Sequence, residues 1–486
     1  MLRPQEPMNF NKRNGWPQLA ALAILLVSCQ PAPSGTAITN VTVIDAVNGV
    51  RGNRTVVFDG DEITAIQSAD DRLDVALRID GTGKYLIPGL WDFHVHLTYD
   101  DRLTDAMPAL FLSYGITSVR DTGGLMRKVL PVVEKMRASD VIAPRVFFAG
   151  PLLDGTFVVY DGDGRPEIGV RNGTPESARA MIRSLGKQGV DFIKIYEMVS
   201  PDVFEAMVET ANELGLPIDS HVPLSMRAST AGPLVDSIEH LRNIEMDCAS
   251  DSPALHEERL ARLKNPDGLS GAELRSSLHS LQRLPAIHNY DEQLCDKTLQ
   301  ALSATMQVPT LRLNAMSLAP PYLRNDWQEA LSRLPVAVRD EWRMSTADRG
   351  ANLPDAVDTT FADWSLFLTG RMYERGIPIG AGTDTPIGLS VPGYSLHSEL
   401  EMLVRAGLSP LEAIGAATVR PAEYFSLRDE MGSIDVGKRA DMVLLDADPL
   451  DDIANTKQIF AVVSKGKLLT SDELQQLVRV SRESSP

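Results

Sequence analysis

The sequence predicts an α/β protein, a (β/α)8 TIM barrel joined to a small β domain assembled from both flanks of the chain. Three observations carry this. Apolar strand-like runs alternate with amphipathic helical stretches through the middle of the chain. Eight such runs occur over roughly 300 residues, the repeat of a barrel with insertions. The two flanks share a different style, with strands following one another and no helix between them.

Taken in order, residues 37–88 come first. Ala37 to Ile44 and Thr55 to Ile66 alternate apolar and polar positions, and Asp-Gly pairs at 59–60 and 80–81 break them. The barrel follows over 89–430. Its strands are a run ending at His94, then 116–120, 145–149, 191–196, 217–222, 236–241, 306–312 and 377–382. The helices between them carry clear start and stop signals. Ser200-Pro201 places a cap before a first-turn proline; Phe204, Met207, Val208 and Ala211 then share a face, and Gly215 closes the helix. Ser409-Pro410-Leu411-Glu412 fits a capping box. The longest link, 242–305, is polar and partly helical and reads as an insertion over the barrel mouth. Residues 431–470 return to the β style with Met442-Val443-Leu444-Leu445 and Phe460-Ala461-Val462-Val463, completing the β domain, and 471–486 remain as a tail.

Composition narrows the function classes. With 43% hydrophobic residues the chain is not wholly disordered. Asp plus Glu is 65 against 47 Lys plus Arg, a net charge of −18, so its surface repels phosphate backbones and a nucleic-acid partner is not expected. Three cysteines are too few for a disulfide scaffold. Residues 1–28 have the layout of a secretory signal: Arg3, Lys12 and Arg13 against the single acid Glu6, then an apolar run over 16–28 interrupted by Gln18 and Ser28. That run is shorter than the about 20 residues of a comfortable membrane span; a plain anchor helix is the alternative. Leu26-Val27-Ser28-Cys29 resembles a bacterial lipobox, in which Cys29 is lipidated and becomes the first residue. Residues 29–36 would then be a tether, and the protein would be exported and lipid-anchored to a bacterial membrane. Gln30 is not the Asp of the usual inner-membrane retention signal, which points to the outer membrane facing the periplasm. In that oxidising compartment Cys248 and Cys295 can pair or stay as free thiols; the sequence does not set their separation.

The chemistry is expected at strand ends. His94-Val95-His96 places two imidazoles at i and i+2, which on a strand point the same way and can share one metal. His221 ends Leu216-Pro217-Ile218-Asp219-Ser220, His240 ends Asp236-Ser237-Ile238-Glu239, and Asp384 ends Ile379-Gly380-Ala381-Gly382-Thr383. Each of these alone is more often a packed histidine or a helix cap. Recurring at the C-terminal ends of barrel strands, they form the imidazole and carboxylate set that suits zinc and related ions. Lys194, within Asp191-Phe192-Ile193-Lys194-Ile195-Tyr196, would be repelled by metals unless it faces outward, pairs with an acid, or is carbamylated by CO2 into an anionic oxygen ligand.

These residues, with Ala413-Ile414-Gly415-Ala416-Ala417-Thr418 and the run Gly432-Ser433-Ile434-Asp435-Val436-Gly437-Lys438-Arg439-Ala440-Asp441, resemble the amidohydrolase superfamily in its imidazolonepropionase-like and prolidase-like branch. The resemblance spans roughly residues 37–470. It implies a barrel with a β-sandwich side domain and two divalent metal ions, zinc by expectation. One metal would take His94, His96 and Asp384 and the other His221 and His240. N6-carboxylated Lys194 and a hydroxide would bridge them. It implies hydrolysis of an amide-type C–N bond in a peptide, N-acyl amino acid or cyclic amide, with Asp384 as proton shuttle. The same site could act on a lactone, carbamate or phosphoester. A non-catalytic metal- or partner-binding lipoprotein is the reading from another class. Prolidase-like relatives place Tyr two residues after the strand-five His; here that position is Pro223, and Tyr196 is the candidate substitute. Arg120 could grip a substrate carboxylate or sit in a core ion pair. His397 is a candidate substrate-facing residue, while His256, His279 and His288 are expected to be solvated or packing. The partner is a small-molecule or short-peptide substrate, and the oligomeric state stays open.

Overall fold

The computed structural model describes residues 34–68, 74–351 and 356–484; Cys29 and the segment before it lie outside them. Residues of both flanks form one eight-stranded sheet. Its N-terminal strands are β1 (Thr36–Asp45), β2 (Gly49–Asp59), β3 (Glu62–Ser68), β4 (Leu77–Asp80) and β5 (Tyr85–Pro88). The body supplies β6 (Leu90–Val95), β7 (Ile116–Asp121), β8 (Arg145–Phe148), β9 (Leu152–Asp154), β10 (Gly169–Arg171), β11 (Ile193–Ile195), β12 (Ile218–Ser220), β13 (Ser237–Glu239) and β14 (Met306–Val308). The C-terminal flank adds β15 (Met442–Leu445), β16 (Ile459–Ser464) and β17 (Lys467–Thr470).

The flanking sheet runs β17-β16-β15-β5-β1-β2-β3, with β4 beside β1. β15 pairs antiparallel with β5, so C-terminal residues continue the sheet begun by the N-terminal ones. Two separate sheets are not what forms. One sheet curls until its ends meet: Ile63 N donates to Lys438 O, and Gly466 sits on the backbone of Gly60. A Cβ at Gly466 would lie 1.7 Å from Gly60 O, and φ is +72°, so only glycine fits. The curl encloses a second core in which Val56, Phe58 and Ile63 meet Met442, Ala461 and Val463. Residues 471–484 are not a loose tail: Ser471–Ser484 is a helix that buries Leu474 and Val478.

The body is α/β with parallel strands. One sheet is β6-β7-β8; the other is β10-β9-β11-β12-β13-β14. The run expected as the last strand, 377–382, forms no extended strand of its own. It lies between the two sheets, bridging Gln307 at Ile379 and reaching Val95 at Thr385, both parallel. Gly380 N donates to Gln307 O, and Phe93 N to Ala381 O. The helices bury one face each. Pro201–Glu213 buries Val203, Phe204, Met207 and Ala211, and the capping box at Ser409 and Glu412 is formed in both directions. Between β13 and β14 the link is helical: Ile244–Asp247, Ser252–Leu263, Gly271–His288 and Glu292–Ala301. Cys248 and Cys295 are joined in a disulfide across this link. No described helix is long and apolar enough to cross a membrane.

Candidate metal centre and its cavity

His94 is in β6 and His96 follows it; their rings are 5.2 Å apart. Both Nε2 atoms converge on Asp384 Oδ1, each at 3.2 Å. His240, after β13, lies 4.7 Å from the His94 ring and 4.9 Å from that of His221, after β12. His94, His96 and Asp384 can hold one ion among them, as can His94, Glu239 and His240. All are buried.

What holds these rings also prepares them as ligands. His94 Nδ1 meets Glu239 Oε2 at 2.5 Å, His221 Nδ1 meets Glu197 Oε1 at 2.7 Å, and His96 Nδ1 meets Gly123 O at 3.1 Å. Those oxygens can only accept, so Nδ1 carries a proton in each case and Nε2 is the nitrogen left to face a metal. His240 Nδ1 is held by Thr310 Oγ1 at 2.7 Å. Carboxylate or carbonyl support behind an imidazole is the usual outer arrangement of a metal site. The Nε2 atoms of His94 and His96 both face Asp384 Oδ1, a gap that a proton on His94 fills here and a cation would fill in its place. The donor set therefore fits a divalent metal. Burial and the Lys194 cation push His221 down to about 3, and burial carries His240 well below the usual imidazole range, so both stay neutral. Burial would also lower His94, but Glu239 and Asp384 outweigh it and raise it to about 9.

The backbone is bent to make this arrangement. φ is +59° at Asp384, +60° at His240, +56° at Leu241 and +46° at Thr310. A left-handed conformation is costly for such residues and collects at functional sites. Hydrogen bonds impose it here. Asp384 N donates to His94 O, Thr383 N and Oγ1 both donate to Asp92, and Asn314 Nδ2 donates to His240 O.

Beneath the histidines lies a layer of paired charges. Lys194 Nζ donates to Asp219 Oδ2 at 2.9 Å, so the acid pairing is the arrangement present. Lys194 and Asp219 are register partners on β11 and β12. Arg120 Nη2 bonds Glu239 Oε1 at 2.5 Å and its Nε bonds Phe93 O. Arg120 is thus a core ion pair and not a substrate grip. Two buried cations face two buried anions, as burial requires.

The cavity above has a volume of about 300 Å³ and is lined by the four histidines, Asp384, Lys194 and Tyr196. Tyr196 packs its ring 4.5 Å from His221, and burial holds its phenol well above its usual range, a neutral donor. His397 is elsewhere. Its Nε2 donates to Tyr114 O at 3.0 Å and its Nδ1 meets Thr456 Oγ1 at 2.8 Å; with both nitrogens spent it ties the body to residues of the C-terminal flank. Burial lowers it to about 4, in keeping with a neutral ring. The expectation of a substrate-facing His397 is corrected accordingly. His279 is buried and packed, one of the two outcomes expected for it. It comes from Gly271–His288, and its Nε2 bonds Glu197 Oε2 at 2.6 Å. Glu197 also accepts two bonds from Arg275, which keep it well below the usual carboxylate range despite its burial. Sequence reasoning passed over Glu197, Glu239, Arg242, Arg275 and Arg283. Only the adjacency of Glu239 to His240, and of Glu197 to Tyr196, could have flagged two of them.

Parallel strands thus present imidazoles and a carboxylate to one buried cavity, a donor set that could hold a divalent metal. Residues 369–469 match the amidohydrolase family. The imidazolonepropionase of Symbiobacterium thermophilum is 38% identical over 76 residues, 15% of this chain and 18% of that protein. The N-substituted formamide deformylase of Arthrobacter pascens is 33% identical over 94 residues, 18% of this chain and 17% of that one. These alignments span under a fifth of either relative. The solved structure of a Xaa-Pro dipeptidase with bound methionine has the same fold, with TM-score 0.64 and 20% identity over 90% of this chain and 100% of that one.

Proposed function

We propose that this protein is a metal-dependent hydrolase of amide-type C–N bonds. The observation that carries the reading is the convergence of the His94 and His96 Nε2 atoms on Asp384 Oδ1, with proton acceptors behind the Nδ1 atoms. His94, His96 and Asp384 would hold one divalent cation. His221, His240 and a carboxylated Lys194 would hold a second. Bound there, such ions supply Lewis acidity, bringing the pKa of water to about 7 and polarising a carbonyl. Carboxylation of Lys194 exchanges an ammonium for an anion and releases the Asp219 partnership; the positive charge lost from the buried layer is returned by the cations above it.

The chain's own groups handle the proton. Asp384 turns Oδ1 to the imidazoles, leaving Oδ2 to take a proton from the attacking water and deliver it to the departing nitrogen, which cannot leave as an amide anion. Tyr196, neutral and beside His221, donates its phenol proton toward the substrate carbonyl oxygen. We read the body strands as one (β/α)8 barrel, with residues 377–385 spanning the seam between the two parallel sheets.

The direct experiment loads the soluble chain beginning after Cys29 with zinc and bicarbonate. It measures metal per chain and hydrolysis of dipeptides and N-acyl amino acids. Close to two equivalents of zinc with turnover is expected. Zinc without turnover would move the reading to lactones, carbamates or phosphoesters, and a chain that takes up no metal would sink it.

Export and lipidation at Cys29 belong to the same reading, on the lipobox run alone. Cys29→Ser should release the full-length protein from membrane fractions into the soluble one. Retention in the membrane pellet would argue for another anchor.

A further inference from the structure

Three arginines reach the cavity: Arg242 from the turn after β13, and Arg275 and Arg283 from Gly271–His288. They are not equally satisfied. Arg275 is locked to Glu197 by two hydrogen bonds of 3.0 and 2.9 Å. Glu197 is then spent, since it also accepts from His221 and His279. Arg242 lies 3.7 Å from it, and its Nε makes no hydrogen bond among the described residues. Arg283 Nε is 3.5 Å from Glu245 Oε1, and neither atom makes a hydrogen bond among the described residues. Arg283 Nη2 donates to His279 Nδ1, and its guanidinium lies over the Phe361 ring at 4.5 Å. Three guanidinium groups thus share two carboxylates, Glu197 and Glu245, and Arg242 and Arg283 each keep an unbonded Nε among the described residues.

We infer that Arg242 and Arg283 form a carboxylate subsite, so that the substrate is a small amide bearing a free carboxylate and an apolar group. This inference rests on the proposed hydrolase reading. Guanidinium groups match a carboxylate with two parallel hydrogen bonds, and a buried, under-bonded pair gains most from one. Leu152, Ile168, Leu313 and Phe361 give the apolar wall. A cavity of about 300 Å³ is at the small end of ligand pockets and admits an N-acyl amino acid or dipeptide, not a long chain.

The test uses the zinc-loaded chain and a matched pair of probes, N-acetyl-L-leucine and N-acetyl-L-leucinamide. Dissociation constants come from titration, and kcat and KM from turnover. The acid should bind at least about tenfold more tightly than the amide. Arg242→Gln and Arg283→Gln should each weaken the acid by about 10- to 100-fold and leave the amide within about threefold, the loss falling on KM. Arg283→Lys, which keeps the charge and is the gentler change if the Gln variant unfolds, should recover part of the affinity. Equal binding of acid and amide, binding of neither, or variants that weaken both alike overturns the subsite. Acid preference that the variants abolish, without turnover, keeps the subsite and removes the hydrolase reading. Turnover without acid preference does the reverse.

Discussion

Asp384→Asn lowers kcat by about 10²-fold or more while the chain stays folded, the scale expected when a positioned acid–base group is removed. Two effects combine. The amide cannot take a proton from the attacking water, and it replaces an anionic oxygen with a neutral one where the His94 and His96 Nε2 atoms converge at 3.2 Å. Metal content should therefore fall along with the rate. Shape is conserved, and the backbone bonds that hold position 384, from its N–H to His94 O and from Thr383 to Asp92, do not involve the side chain. The checks are kcat on the best substrate of the panel, metal per chain and the thermal midpoint. An unaltered rate at full metal occupancy would remove Asp384 from the proton path.

Lys194→Ala should be severe in a different way. The substitution strips the layer beneath the histidines of one of its two cations, leaving Asp219 and Glu239 to Arg120 alone. Breaking a buried pair by removing one partner typically costs about 3–5 kcal/mol. If Lys194 is carboxylated in the loaded enzyme, the variant also loses metal and nearly all activity, and acetate or propionate restores part of both by filling the vacated volume with a carboxylate. Stability loss alone, with metal and rate intact, would assign Lys194 to the ion pair with Asp219 and nothing more. Thermal melts, metal analysis and rates with added acid separate the two outcomes.

The candidate metal residues were legible because local chemistry marks them. A His-x-His at a strand end, and His or Asp closing later apolar runs, are signals that survive without coordinates. Their supports were not. Glu239 and Glu197 matter because they sit behind the Nδ1 atoms of His94 and His221, contacts that span 145 and 24 residues in sequence. His397 misled for the same reason. A histidine near a helix start reads alike whether it faces a cavity or, as here, binds Thr456 and the Tyr114 carbonyl. The last strand-like run was readable as apolar, but its pairing reduces to isolated bridges, since its ends are spent on Gln307 and Val95.

By itself the sequence determined the alternation of strand and helix, the flanking β style, the acidic balance and the imidazole and carboxylate set at strand ends. Periodicity, capping and residue chemistry act within a few neighbours, so one dimension suffices for them. Tertiary structure alone decided that the flanks merge into one curled sheet, that Lys194 meets Asp219, that Arg275 and Arg283 arrive over the cavity from a helix far along the chain, and that His279 of the same helix bonds Glu197. Burial and charge pairing depend on which segments the fold brings together, and that is set by the packing of the whole core.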